Sequence, residues 1–301
     1  MALSGTTPDA NTPGLPWTVK YAAAGMDGAN LPIIVDGLNE KGLSGGIFYF
    51  PNVAGFQDAQ PADYGKTIAP WQLMTWMLTS FATVDEVKAA LPGIVVANVE
   101  FPAWGIIPPM HYYLADTSGA RIAIEYIGGE LIVTDAPLGI FTNAPAYSWH
   151  ITNLQNYVGL SPKPDAPITI DEVKVSPPST GTNTLGMPGD YSSPSRFIRA
   201  AFFVATTPEQ ATAEDAIWTG FHILDGFDIP EGAVPEPAGS NPPFEITEWT
   251  VMADMTNLKY YAWTQGNRDI RMIDLGKVAA DGTEMLTFAL DQPQGITELG
   301  G

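Results

Sequence analysis

The sequence predicts an α+β chain built on antiparallel sheets, and three observations carry the prediction. Short apolar-alternating runs come in pairs around turn residues. Helical patterns are few and clustered. Strands and helices do not alternate as parallel βαβ units require. The 301 residues can bury a sizeable core, and one domain over 1–301 is expected.

The opening MALSGTTPDANTPGLPW, rich in Gly, Pro and Thr, reads as a loop. LPIIVDGLNEKGLSGGIFYF (31–50) predicts two strands around a turn at Asn39, Glu40, Lys41 and Gly42. WQLMTWMLTSF (71–81) has the broad apolar face of a helix. Thr83 followed by Glu86 forms a capping box that opens a second, short helix ending near Leu91. RIAIEYIGGELIVT (121–134) predicts a hairpin turning at Gly128 and Gly129. SRFIRAAFFVA (195–205) and PEQATAEDAIWTGFHILDGF (208–227) predict helices, the second with Pro208 in its first turn. ITEWTVMADM (246–255) adds a strand, and KYYAWTQGNRDIRMIDL (259–275) a hairpin turning near Gly266 and Asn267. Between these lie two Pro/Gly/Ser-rich loops, 161–194 and 229–243, of a length usually tied to function or disorder.

Composition removes several function classes. With 13 Lys+Arg against 33 Asp+Glu, the net charge of -20 provides no basic footprint for nucleic acid. Zero cysteines exclude disulfides, thiolate metal sites and a cysteine nucleophile among these residues. No run reaches the roughly 18 apolar residues of a membrane span, and the opening shows no signal-peptide pattern. Neither a P-loop nor G-x-G-x-x-G is present, and His111, His150 and His222 lack metal-ligand spacing. No metal or cofactor is expected, and packing or hydrogen-bonding roles suit the histidines better.

Three stretches carry candidate chemistry. Gly42-Leu43-Ser44-Gly45-Gly46 fits G-x-S-x-G, an elbow that needs a strand before the serine and a helix after it. Here a turn precedes and strand-like IFYF follows, so Ser44 as a hydrolase nucleophile is the weaker alternative. Asn143, in Phe141-Thr142-Asn143-Ala144-Pro145, either steadies a turn ahead of proline or aims its amide at an oxyanion. Arg196 falls near a helix N-terminus, where the macrodipole opposes a cation by about 0.3–1 kcal/mol. Something must hold it there, and an ion pair with Asp190 is the plain explanation. Arg199 reads as an ordinary surface residue of that helix.

Seven segments together narrow the reading: VDGLNEKGLSGGIFYFP (35–51), FATVDEVKAAL (81–91), PPMHYYLADTSG (108–119), GIFTNAPAYSWHITNLQNYVGLSP (139–162), GMPGDYSSPSRFIRAAFF (186–203), FHILDGFDIPEG (221–232) and WTVMADMTNLKYYAWTQGNRDIRMIDL (249–275). In this order, over nearly the whole chain, they resemble the choloylglycine hydrolase family of conjugated bile salt hydrolases and penicillin V acylases. The resemblance implies an N-terminal-nucleophile fold, an αββα sandwich of two antiparallel sheets between helical layers. It implies hydrolysis of a linear amide, with conjugated bile salts, penicillin V or other N-acyl amides as the small-molecule substrate and no cofactor. In the family an N-terminal cysteine thiolate attacks, and its own α-amino group, of pKa near 8, serves as base.

Position by position, Asn143 matches the family's oxyanion-hole asparagine and Arg196 the arginine lining the catalytic centre. Tyr49 falls where the family places an Asn or Tyr of the oxyanion hole. Phe50, Phe56, Tyr147 and Trp149 are expected around an apolar acyl group. A homo-oligomer is expected, and the compartment, bacterial cytoplasm or periplasm, stays open. The family's cysteine, with an Arg and an Asp of its first hairpin, precedes a segment like ALSGTTPDANTPGLPWTVKYAAAG. Met1 stands at that later segment, and Ser4, Thr6 and Thr7 are not at the nucleophile's place. Three expectations follow: an upstream catalytic segment, a split protein completed by a complementing N-terminal segment, or a non-catalytic relative that binds acyl amides.

Overall fold

The computed structural model describes residues 1–29, 31–237, 239–240, 242–279, 284–290 and 292–299. Its first residues correct the sequence expectation. Instead of a loop, β1 (Ala2–Thr6) pairs antiparallel with β2 (Pro13–Thr18). The turn between them is tied by Asp9, whose carboxylate accepts from Asn11 N at 3.0 Å and Thr12 Oγ1 at 2.7 Å. Glycine here means close approach: a Cβ on Gly5 or Gly14 would stand 2.3 Å from the Thr67 carbonyl oxygen. The same glycines that mimic a loop let this hairpin press on the neighbouring chain.

The larger sheet begins with β3 (Ala23–Gly28), β4 (Leu31–Asn39) and β5 (Ser44–Tyr49). Two short parallel strands, β6 (Thr67–Ile68) and β7 (Val95–Val96), bracket α1 (Leu73–Ser80) and α2 (Val84–Ala90). Thr83 caps α2 as predicted, its side chain accepting from Glu86 N at 3.2 Å, while Glu86 reaches back to Ala82 N at 2.7 Å. The sheet then resumes with β8 (Met110–Ala115), β9 (Arg121–Ile127) and β10 (Glu130–Asp135), in the antiparallel order β10-β9-β8-β5-β4-β3. The predicted turns at 39–42 and 128–129 are both in place.

Strand alternation decides what each face meets. Tyr112 and Leu114 of β8 and Ile122, Ile124 and Tyr126 of β9 pack into one core with Leu73, Met74, Met77 and Leu78 of α1. On the opposite face Ala123 packs with Tyr147 of α3 (Tyr147–Asn153) and Phe197 of α4 (Ser193–Thr206).

The loop 161–194 carries a small hairpin, β11 (Ile168–Ile170) with β12 (Val173–Val175). Helix α5 (Ala213–Asp225) starts later than predicted. Thr212, not Pro208, marks its beginning, accepting from Asp215 N at 3.0 Å. The loop 229–243 is pinned by β13 (Val234–Pro235) against β14 (Phe244–Glu245).

A second sheet, β15 (Trp249–Asp254), β16 (Lys259–Thr264) and β17 (Asn267–Asp274), is antiparallel throughout. One face, with Tyr260, Ala262, Val251 and Ala253, packs on Leu38, Ala24 and Met26 of the first sheet. The other, with Trp263, Tyr261 and Met252, lies under Ile217 and Phe221 of α5. The layers therefore run helix, sheet, sheet, helix, the αββα sandwich expected of an N-terminal-nucleophile hydrolase. A single carboxylate ties the two sheets across the interior. Asp36 of β4 accepts from Trp249 Nε1 at 2.8 Å and from the Tyr260 hydroxyl. Burial pushes its pKa up, and those two bonds oppose the shift.

Replacing Asp36 by Ala strands both donors. We expect a loss of about 3 kcal/mol, read as a lower urea midpoint at unchanged m. Asp36→Asn keeps an acceptor oxygen and should lose less. Equal midpoints for wild type and Asp36→Ala would contradict this role.

Candidate active site

Where β10 ends, the chain crosses over the end of β5 and enters α3, and this crossing holds Asn143. Its Nδ2 donates to the Tyr49 carbonyl at 2.8 Å. Its Oδ1 accepts from Arg196 Nη2 at 2.7 Å. A guanidinium only donates and a carbonyl only accepts, so the orientation of the amide is fixed chemically. The second Nδ2 proton is committed to no acceptor among the described residues. The peptide is held as well, because His150 Nε2 lies 2.9 Å from the Asn143 carbonyl oxygen and donates to it. Asn143 thus stands ahead of the cis Ala144-Pro145 peptide with its side-chain amide held at both ends.

Arg196 sits in the first turn of α4, against the helix dipole, and two oxygens hold it. Besides Asn143, its Nε donates to the Tyr191 carbonyl at 3.0 Å. The ion pair expected with Asp190 is absent. That carboxylate instead accepts from Ser192 N at 2.9 Å and Ser195 Oγ at 2.6 Å, and the Ser192 side chain, then Ser195 and the Ser192 backbone, draw its pKa down to about 2. Burial lowers the Arg196 pKa, and the charge of Glu245 opposes the shift.

Arg199 corrects the sequence expectation. It is buried, not a surface residue, and its Nη1 donates to the carbonyls of Pro188 at 3.0 Å and Asp190 at 2.7 Å. It also stands over the Phe227 ring at 5.2 Å. Arg199 fastens the Gly-Pro-Ser loop, and that loop delivers Tyr191 to Arg196. Sequence could not separate the two arginines, because their difference lies in which carbonyls the loop returns to them.

The other expected residues divide. Tyr49 brings its carbonyl to Asn143, but the residue as a whole is 47% exposed. Phe50 is fully buried and stacked on His111 at 4.0 Å. Phe56 lies in the core against Tyr126, and Tyr147 between Phe141 and Phe197. These three fill the interior, and only Trp149 of the four aromatics is exposed. Exposed apolar side chains sequence had not singled out, Trp104, Ile106 and Ile107, ride on the loop before β8. That loop runs beside the site, since Pro109 O accepts from Phe50 N at 2.7 Å.

Ser44 does not form an elbow. It opens β5, donates to the Gly37 carbonyl at 2.8 Å and is followed by strand instead of helix. The glycine after it serves strand packing, because a Cβ on Gly45 would meet Tyr113 O at 2.3 Å.

Two scattered histidines converge under Asn143, which their spacing could not reveal. His111 Nδ1 lies 3.2 Å from Glu125 Oε1, both residues being buried, and the same oxygen accepts from Tyr147 N at 2.9 Å. His150 stacks on Phe197 at 4.7 Å. Burial lowers the pKa of both histidines, opposed at His111 by Glu125 and at His150 by the bond to Asn143. His222 is exposed on α5. Among the described residues no group of three His, Asp or Glu side chains could hold a metal ion, and no helix is long and apolar enough to cross a membrane.

The chain matches a family model over residues 11–288, that of linear amide C–N hydrolases of the choloylglycine hydrolase family. It is 36% identical over 244 residues to an uncharacterized protein of Paramecium bursaria Chlorella virus 1, covering 80% of this chain and 83% of that one. It is 32% identical over 274 residues to a bile salt hydrolase/transferase of Lactiplantibacillus plantarum, covering 90% and 82%. A crystal structure of a variant conjugated bile acid hydrolase from Clostridium perfringens superposes with TM-score 0.83 at 27% identity, covering 94% and 86%.

The lowered histidine pKa values set a pH dependence. The unfolded chain binds protons first, at about 6.5, so their contribution is complete above that pH and is lost as pH falls below it. The urea midpoint should hold from pH 8 to 7 and fall steadily towards pH 5.5. A midpoint that stays level down to pH 5.5 would contradict neutral, buried histidines.

Proposed function

The chain belongs to the choloylglycine hydrolase family of linear amide C–N hydrolases, and from that premise we propose that its site stabilises the oxyanion formed when the carbonyl of an N-acyl amide is attacked. Asn143 carries the reading. Its amide is oriented by Arg196 and Tyr49 with one N–H left to donate among the described residues, the arrangement an oxyanion hole needs. Arg196 is the orienting cation, and its charge adds to the field at the same point. Tyr49 acts through its carbonyl. The small-molecule substrate is an acyl amide such as a conjugated bile salt or penicillin V, with Trp104, Ile106, Ile107 and Trp149 offering apolar surface to the acyl part.

Amide hydrolysis by this family's chemistry needs a thiolate, and the 301 residues hold no cysteine. We therefore assign no nucleophile to these residues, and treat 1–301 as one domain that supplies the oxyanion side of the site. The absence of cysteine also favours a second reading, a non-catalytic protein that binds acyl amides. Amine release from penicillin V and glycocholate by the protein expressed from its natural gene separates the two. Asn143→Ala should lower turnover by roughly 10²–10³ with unfolding unchanged. Unaltered turnover contradicts the role of Asn143, and no turnover at any enzyme concentration contradicts the hydrolase in favour of the binder.

Self-association has a candidate surface in the β11–β12 hairpin. Ile168 pairs with Val175 and Ile170 with Val173, so all four stand on one face, and all are exposed. A lone two-stranded hairpin is marginal in water, and a second copy would cover this face. Ile170→Glu with Val173→Glu should reduce the mass seen by sedimentation to that of a monomer. Identical sedimentation of the variant would contradict this surface.

A further inference from the structure

We propose that His150 is a positioning residue that sets the orientation of Asn143 through the Asn143 carbonyl, acting as the neutral tautomer with its proton on Nε2. This rests on the reading of Asn143 as the oxyanion donor. The tautomer follows from the partners. Nε2 lies 2.9 Å from an oxygen that can only accept, so Nε2 carries the hydrogen. Nδ1 is buried with no hydrogen-bond partner among the described residues, so it is an unprotonated lone pair in apolar surroundings. The ring itself cannot swing, because it is 2% exposed and stacked at 12° on Phe197, the residue next to Arg196. Thr142 Oγ1, 3.4 Å from Nε2, closes the same corner.

Asn143 is thereby gripped at both ends by neighbours of one helix turn. Phe197 backs the histidine that fixes the peptide, and Arg196 fixes the side-chain oxygen. A peptide free to rotate would carry the amide away from Arg196 and Tyr49 even with both still present. A second proton on His150 would place a charge at Nδ1 without an acceptor, facing the Arg196 cation. Burial is the largest influence against that protonation, joined by the Arg196 charge and by His111 once it is itself protonated, while the Asn143 bond and Glu125 favour it.

The test reads the asparagine directly, in ¹⁵N-labelled full chain. In the wild type, the ring nitrogens of His150 should show Nε2 protonated and Nδ1 bare at pH 7. The Asn143 side-chain amide signals should move only as that ring titrates in acid. His150→Leu should shift the Asn143 amide signals while the urea midpoint shows a folded chain, and His150→Gln, which keeps an N–H donor at similar reach, should restore them. Where the protein turns over, His150→Leu should lower kcat about tenfold or more with KM within about twofold, and Gln should recover it. A bare Nε2 in the wild type overturns the proposal even if His150→Leu does not fold. So do Asn143 signals that ignore the substitution, or Gln and Leu variants that behave alike. If no variant turns over amide, the spectra still decide the positioning role, and the hydrolase reading alone has failed.

Discussion

The hydrogen bond from Arg196 to Asn143 Oδ1 is the interaction on which the proposed site depends. An asparagine amide alone can present either its oxygen or its nitrogen to a substrate, and the two ends have opposite chemistry. The guanidinium resolves that ambiguity because it can only donate. With the oxygen claimed, Nδ2 faces the end of β5, where one proton goes to the Tyr49 carbonyl. The charge held against the α4 dipole is kept there by the Asn143 side-chain oxygen and the Tyr191 carbonyl, at a modest electrostatic cost.

The rest of the fold serves to keep these two residues in register. Asn143 descends from the large sheet through β10, while Arg196 arrives on α4 after a long loop. Arg199 ties that loop to its own helix through the Pro188 and Asp190 carbonyls, and Asp190 organises the first turn through Ser192 and Ser195. Deeper in, Asp36 binds one sheet to the other through Trp249 and the Tyr260 hydroxyl. Each tie sets one acidic or basic side chain on neutral partners, which suits a chain whose 13 basic residues are scarce and gives geometric definition without reliance on surface ion pairs.

Hairpins were legible because alternation and turn residues are local: 31–50, 121–134 and 259–275 all formed where their patterns placed them. The β1–β2 hairpin was not, because Gly5 and Gly14 are there for a neighbour distant in sequence, and composition registers them only as flexibility. Helix α5 began at Thr212 because a side-chain cap outweighed a proline four residues earlier. Within the site, Asn143 and Arg196 were candidates through the family resemblance, with the turn ahead of proline and the conflict with the helix dipole as weaker pointers that also allowed plain structural roles. Arg199, His150 and the His111–Glu125 pair could not be picked out, since burial and a partner dozens of residues away decide their roles. Phe50, Phe56 and Tyr147 show the converse: aromatic residues beside a site-bearing motif served the core.

The most direct measurement is a double-mutant cycle on amide turnover with Asn143→Ala and Arg196→Leu. If Arg196 acts by holding the asparagine, Arg196→Leu should cost most of its effect in the wild type and little once Asn143 is already Ala, so the two losses are strongly non-additive. Losses that simply add would show the two residues working independently, and would contradict the dependence of this site on their shared bond.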